Sequence, residues 1–170
     1  MSDISKQTGS LQPKELEAVY AISRSVADSS SAELTLDDVV RHLRPVFIFD
    51  NIVLYAINSD GGLEPYYARA IGRGRVREAE LAWGESAAQH TLRLQRTTVR
   101  IEQLDDSLAD RTNIRHTLGL PCICKDQIYG VLIFIRFGGP EFLPAQTLLA
   151  EFVALHIGQL FHNMKLVERI

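Results

Sequence analysis

Apolar positions recur along this chain with two periods, and the switches between them mark its elements. From Pro13 to about Ser29, Leu16, Val19, Tyr20, Ser23, Val26 and Ala27 fall on one helical face. Pro13 suits a first turn, where its missing N–H costs nothing. The Ser29-Ser30-Ser31 cluster breaks the period. Thr35, followed three residues later by Asp38, is the expected cap of a second helix, with Leu36, Val39, Val40 and Leu43 as its buried stripe and Pro45 at its end. The period then becomes two. Over residues 51–58 both parities are apolar, Ile52, Leu54 and Ala56 against Val53, Tyr55 and Ile57, which predicts a strand covered on both faces.

Ser59-Asp60-Gly61-Gly62 is a turn, and residues 63–70 return as a second strand. The runs Leu118–Cys124 and Ile128–Phe137 flank the polar pair Lys125-Asp126 and predict a β-hairpin. Gly138-Gly139-Pro140 stops its second strand, and Pro144 opens a helix whose apolar spacing continues to the end of the chain. Residues 71–118 are the least regular. Glu85-Ser86 precedes a short helix to about Arg96, Thr97–Ile101 reads as a strand, and Asp105–Thr117 as a loop with a short helix. The predicted fold is α+β: a central antiparallel sheet of five or six strands, helices 13–29 and 144–168 on one face, and residues 71–118 covering the other. Residues 1–12 form a flexible lead-in. Residues 13–170 form a single domain with a C-terminal helix over 144–170.

Composition narrows the partners. A chain of 170 residues buries enough surface to fold without metal or disulfide. A net charge of −3 argues against nucleic acid. The longest apolar run, Ile128–Phe137, is too short to span a bilayer and is interrupted by Arg136. Residues 1–6 carry no secretory pattern, and two cysteines spaced i, i+2 make no disulfide framework, so the expected location is cytoplasmic.

Six segments, taken in order, resemble a GAF domain, a sensory module of signalling proteins. They are Ala21-Ile22-Ser23-Arg24, Leu36-Asp37-Asp38-Val39-Val40, Phe49-Asp50-Asn51-Ile52-Val53-Leu54-Tyr55, Leu120-Pro121-Cys122, Tyr129-Gly130-Val131-Leu132, and Phe142 followed by Leu148-Leu149-Ala150-Glu151-Phe152. The resemblance implies a small-molecule pocket on the sheet face away from the terminal helices, roofed by residues 71–118. It implies a non-enzymatic role in which ligand binding is relayed through those helices to an output domain in cis, such as a kinase, cyclase, phosphatase or transcription activator, as in two-component systems. Val167-Glu168-Arg169-Ile170 carries no Gly or Pro stop, so the last helix is expected to continue. Two other readings stay open: a ligand-free dimerisation scaffold, and a small redox enzyme of the free methionine sulfoxide reductase type.

Candidate pocket residues are Trp83, Tyr55, Tyr67, His90, His116, Cys122 and Phe134. Trp83 leads because it precedes Gly84 in the irregular middle. Cys122 and Cys124 share a strand face with Leu118 and Leu120 and read as small core hydrophobes. A disulfide between them is geometrically poor, and two thiolates do not complete a zinc shell. Haem held by His90 or His116 is disfavoured. So is an iron site from Asp105, Asp106, Asp110, His116 and Cys122, whose spacing departs from that of nitric-oxide-responsive GAF activators. Arg69, Arg73, Arg75 and Arg77, with Gly72 and Gly74, suggest a phosphate cradle but lack its strand–helix context. The cyclic-nucleotide signature and the cysteine positions of bilin-attaching domains are absent. No nucleophile elbow, H-E-x-x-H or Walker loop occurs. The identity of any ligand is left unknown.

A parallel homodimer is expected through the last helix. Leu149, His156, Asn163 and Ile170 form one seam of spacing seven, and Val153, Leu160 and Val167 the other. Leu16 and Tyr20 of the first helix add to it, while Leu148, Phe152 and Leu155 are expected to face the sheet.

Overall fold

The computed structural model describes residues 11–27, 31–71, 83–103 and 114–168, with side chains as far as 165 in the last segment. Helices α1 (Pro13–Ala27) and α2 (Ala32–Leu43) lead into the hairpin β1 (Asn51–Ile57) and β2 (Leu63–Ala70). Helix α3 (Glu85–Leu94) and strand β3 (Thr98–Gln103) follow, then β4 (Ile114–Cys124), β5 (Gln127–Phe137) and α4 (Pro144–Glu168). The five strands form one antiparallel sheet in the order β2-β1-β5-β4-β3. Lys125 and Asp126 turn the β4–β5 hairpin with φ of 51° and 64°, the two left-handed positions that a two-residue hairpin loop requires.

Central strands bury both faces, so the sheet separates two cores. On the helix side, Ile52, Leu54, Leu118, Leu120, Cys122, Leu132 and Phe134 meet α1, α2 and α4. On the other side, Val53, Tyr55, Val131, Ile133, Ile135 and Phe137 meet Ala87 and Ala88 of α3. The alternation over 51–58 therefore corresponds to two covered faces.

Three local expectations change. Helix α2 starts a turn early: Ser31, extended at φ −142°, is the cap, and Thr35 lies inside the helix with its hydroxyl donating back to Ser31 O at 2.8 Å. The described parts of residues 71–118 do not act as one roof. Val99 pairs with Leu118 and Ile101 with His116, so β3 and the first half of β4 belong to the sheet. The polar residues Arg115, His116 and Thr117 hid that half-strand from a search for apolar runs.

The third change concerns α4, whose faces are reversed. Leu149, Val153 and Leu160 are buried against the domain's own sheet, together with Ala150, Ala154 and Ile157. Leu148 and Leu155 are exposed instead. Small residues decide this. A Cβ on Gly158 would lie 2.8 Å from Ile123 O, so the Ala150–Ala154–Gly158 stripe brings the helix backbone down onto β4. Leu148 and Leu155 flank Glu151, which accepts from Thr97 Oγ1 at 2.7 Å, and this stripe points past the β3 edge. His156 and Asn163 are engaged within the domain, through Ser23 Oγ at 3.0 Å and Gln159 Nε2 at 2.9 Å. The side chains of Val167 and Ile170 lie outside the described residues. Among the described residues, no helix is long and apolar enough to cross a membrane.

Candidate functional site

Among the described residues, α3 is the helix that covers the face away from α1, α2 and α4. It packs over β4 and β5, and the β1–β2 hairpin lies beside it. Val53 and Tyr55 of β1, with Leu63, Pro65 and Ala68 of β2, floor a cavity of about 650 Å³ whose wall is Trp83 and Glu85. A volume of that size holds a small organic ligand.

Gly84 sets the wall. Its φ of +66° is left-handed, and a Cβ there would stand 3.0 Å from Ile133 Cγ2 and 3.3 Å from Ile135 Cδ1. Only glycine lets the chain pass this close to β5 while turning into α3. Trp83 and Glu85 consequently flank the contact and border the cavity. Tyr55 Oη donates to Trp83 O at 3.0 Å, which ties the floor to the wall. Burial pushes the Tyr55 phenol up to about 12, and the Glu85 charge adds to the shift, so this hydroxyl stays a neutral donor. The other end of α3 is held by Thr91, whose hydroxyl donates to Ala87 O at 2.9 Å and meets Thr98 Oγ1 at 2.6 Å.

Of the seven pocket candidates, the structure brings Tyr55 and Trp83 together and disperses the others. Tyr67 lies in the helix-side core, its hydroxyl donating to Asp37 and its ring 4.3 Å beneath the Arg69 guanidinium. A bulge causes this. Leu54 faces Tyr67 but Tyr55 faces Pro65, so Tyr66 is an extra residue that reverses the facing of everything after it. Phe134 packs against Phe47 and Phe49 at centroid distances of 4.8 and 5.1 Å, also on the helix side. His116 is buried there too, its Nε2 3.0 Å from Gly139 O and its ring beside Phe142. His90 is on α3 and does not line the cavity.

Cys122 is 0% exposed in the helix-side core, and burial raises its thiol far above the ordinary range. Cys124 Sγ lies 3.4 Å from Gln159 Oε1 of α4. Both thiols of the chain are thus separated from the cavity by the sheet. Residues 116 and 122 stand six places apart on β4, about 20 Å of extended chain, so His116 and Cys122 cannot share an iron ion. No group of three or more His, Cys, Asp or Glu is placed to hold a metal among the described residues. Asp105, Asp106, Asp110, Arg73, Arg75, Arg77, Gly72 and Gly74 lie outside them. Arg69, the described member of the arginine set, pairs with Glu33 and Asp37 on the helix side.

The residues missed from sequence are Val53, Leu63, Pro65, Ala68 and Glu85. Val53 shares the parity of Tyr55, and Glu85 adjoins Trp83-Gly84, so both were within reach of the pattern. Leu63 and Pro65 share the parity of Tyr67 in a regular strand, and Ala68 required the bulge.

The GAF domain family model matches residues 31–161, well over half of the chain. The chain belongs to the GAF domain family. Solved GAF domains share its fold at low identity. The GAF domain of a phosphoenolpyruvate-protein phosphotransferase from Coxiella burnetii superposes with a TM-score of 0.71 at 16% identity, over 92% of this chain and 98% of that one. The free methionine-R-sulfoxide reductase of Neisseria meningitidis, solved with its substrate, has a TM-score of 0.65 at 15% identity, over 93% and 96%. The GAF domain of a two-component sensor histidine kinase from Bacillus halodurans has 0.59 at 15% identity, over 82% and 99%. No curated protein matches the sequence significantly. The GAF family is in general sensory and regulatory, and its fold also carries reductases; at these identities the neighbours establish the fold alone.

Proposed function

We propose that this GAF domain is a non-enzymatic, cytoplasmic sensory module that binds a small molecule in the cavity beside Trp83. Binding is relayed through α1 and α4 to an output domain in cis, of the kind found in two-component systems. The observation that carries this reading is the division of the molecule by its sheet. An aromatic, mostly apolar cavity opens on one face, and the terminal helices lie on the other. A ligand can shift such an element only if it contacts parts whose placement differs between two states, and this reading gives that role to the Trp83–Gly84–Glu85 wall leading into α3.

The reductase reading requires a thiol at the ligand, and both cysteines pack on the far side of the sheet. Trp83 is the sole tryptophan, so a ligand against it should change the protein's emission and raise its melting temperature. Native mass spectrometry of the purified chain, followed by titration of the species found, measures both. In the same preparation Cys122 should react with a thiol reagent only as fast as the fold opens. Turnover of methionine sulfoxide with rapid Cys122 labelling would transfer the protein to the reductase class. A silent tryptophan against extract fractions would favour the scaffold reading.

A homodimer belongs to the same proposal, on a revised surface. Leu160 is 5% exposed, whereas Leu16 and Tyr20, one turn apart on α1, are 53% and 65% exposed. Tyr20→Glu should therefore give a folded monomer in sedimentation, while Leu160→Glu should lose the fold itself. A wild type that sediments as a monomer removes the dimer from this account.

A further inference from the structure

We propose that the cavity selects a ligand carrying an ammonium or similar compact cationic group on an apolar body. This rests on the reading of the cavity as the ligand site and adds the chemical class. Among the described residues, the lining contains one formally charged side chain, Glu85, with two aromatic rings, Trp83 and Tyr55, and four apolar residues, Val53, Leu63, Pro65 and Ala68. Among the described residues, no Lys, Arg or His lines it.

Each polar group there has a determinate role. The Tyr55 hydroxyl spends its proton on Trp83 O and so offers a ligand only lone pairs. Glu85 is in the first turn of α3, at the end of the helix that carries a partial positive charge. That partial charge is about half a unit, smaller than the full negative charge of a carboxylate. Glu85 makes no ion pair with a described residue. The described lining thus presents a carboxylate, a hydroxyl acceptor and two aromatic rings.

A carboxylate beside aromatic rings is suited to an ammonium. The carboxylate accepts its N–H bonds, the ring electrons attract its charge, and the apolar floor takes the hydrocarbon. Glu85 is exposed enough to be screened by salt, so the preference should weaken as ionic strength rises.

Three probes with one body separate the charge from the hydrophobic contribution: phenethylamine, 2-phenylethanol and phenylacetate. Titrated into the full chain and followed by Trp83 emission and calorimetry, the amine should bind roughly tenfold or more tighter than the alcohol, the scale of one charge-assisted contact. Phenylacetate should bind more weakly than either. Glu85→Gln should bring amine and alcohol to within about twofold of each other, with circular dichroism and melting temperature confirming its fold. If the alcohol or the acid matches the amine in the wild type, or the amine preference survives Glu85→Gln, the cationic class is wrong and the cavity reading stands. If none of the three binds, the cavity reading fails and this inference fails with it.

Discussion

Phe134→Ala should lower the stability of this domain by about 3–5 kcal/mol, a large share of the ~5–15 kcal/mol that a domain of this kind possesses. The ring is fully buried and sits edge-on to both Phe47 and Phe49, which link the end of α2 to β1. Truncation removes its transfer free energy and leaves a void that the surrounding strands cannot close. Urea unfolding followed by far-ultraviolet circular dichroism should show the midpoint falling with little change in slope. The sequence alone made Phe134 a pocket candidate, and the variant tests the two placements. A pocket-wall phenylalanine would cost little stability and alter ligand response. A shift below 1 kcal/mol would mean that the aromatic cluster is not the core described here.

Arg136→Met should destabilise by about 3 kcal/mol, or roughly 6–12 °C in melting temperature for a chain of this length. Arg136 is 3% exposed. Its Nε and Nη2 donate to Ile48 O at 3.0 and 2.8 Å, and Nη1 donates to Pro140 O at 2.8 Å. The guanidinium lies 4.3 Å over the Phe142 ring. Burial lowers its pKa, and the neighbouring Asp50 carboxylate, which accepts from Phe137 N at 2.6 Å, acts against that shift. Methionine keeps much of the stem volume but removes all three charge-assisted hydrogen bonds to the Ile48 and Pro140 carbonyls. Lysine should not rescue, because a single ammonium cannot reproduce the forked contact. Hydrogen exchange should quicken first around residues 46–49 and 138–142. Wild-type melting in Arg136→Met would show that the clamp contributes nothing net.

Both side chains illustrate where sequence reading stops. Arg136 reads only as an interruption of an apolar run, because the carbonyls it binds are 88 and four residues away. Phe134 reads as aromatic and strand-borne, which is true of either face of a central strand. In the cavity, Trp83 was legible because an aromatic before a glycine in an irregular segment has no helix or strand to explain it. Tyr67 was misplaced because residues 65 and 67 share a parity in any regular strand, and only the extra Tyr66 separates them.

What the sequence determined by itself was the order of elements and the class of fold. Period-two alternation on both parities of β1, the Lys125-Asp126 hairpin and the helical spacing after Pro144 are local properties, set within a few residues of each position. Tertiary structure decided which face each element presents. Helix α4 has two apolar stripes, and its spacing cannot choose between them. The choice fell to Ala150, Ala154 and Gly158, because only the small-residue stripe allows backbone contact with β4 at Ile123. The cavity is likewise a product of assembly. Among the described residues, it lies where α3, packed over β4 and β5, meets the β1–β2 hairpin, and neither element encodes the width of the other.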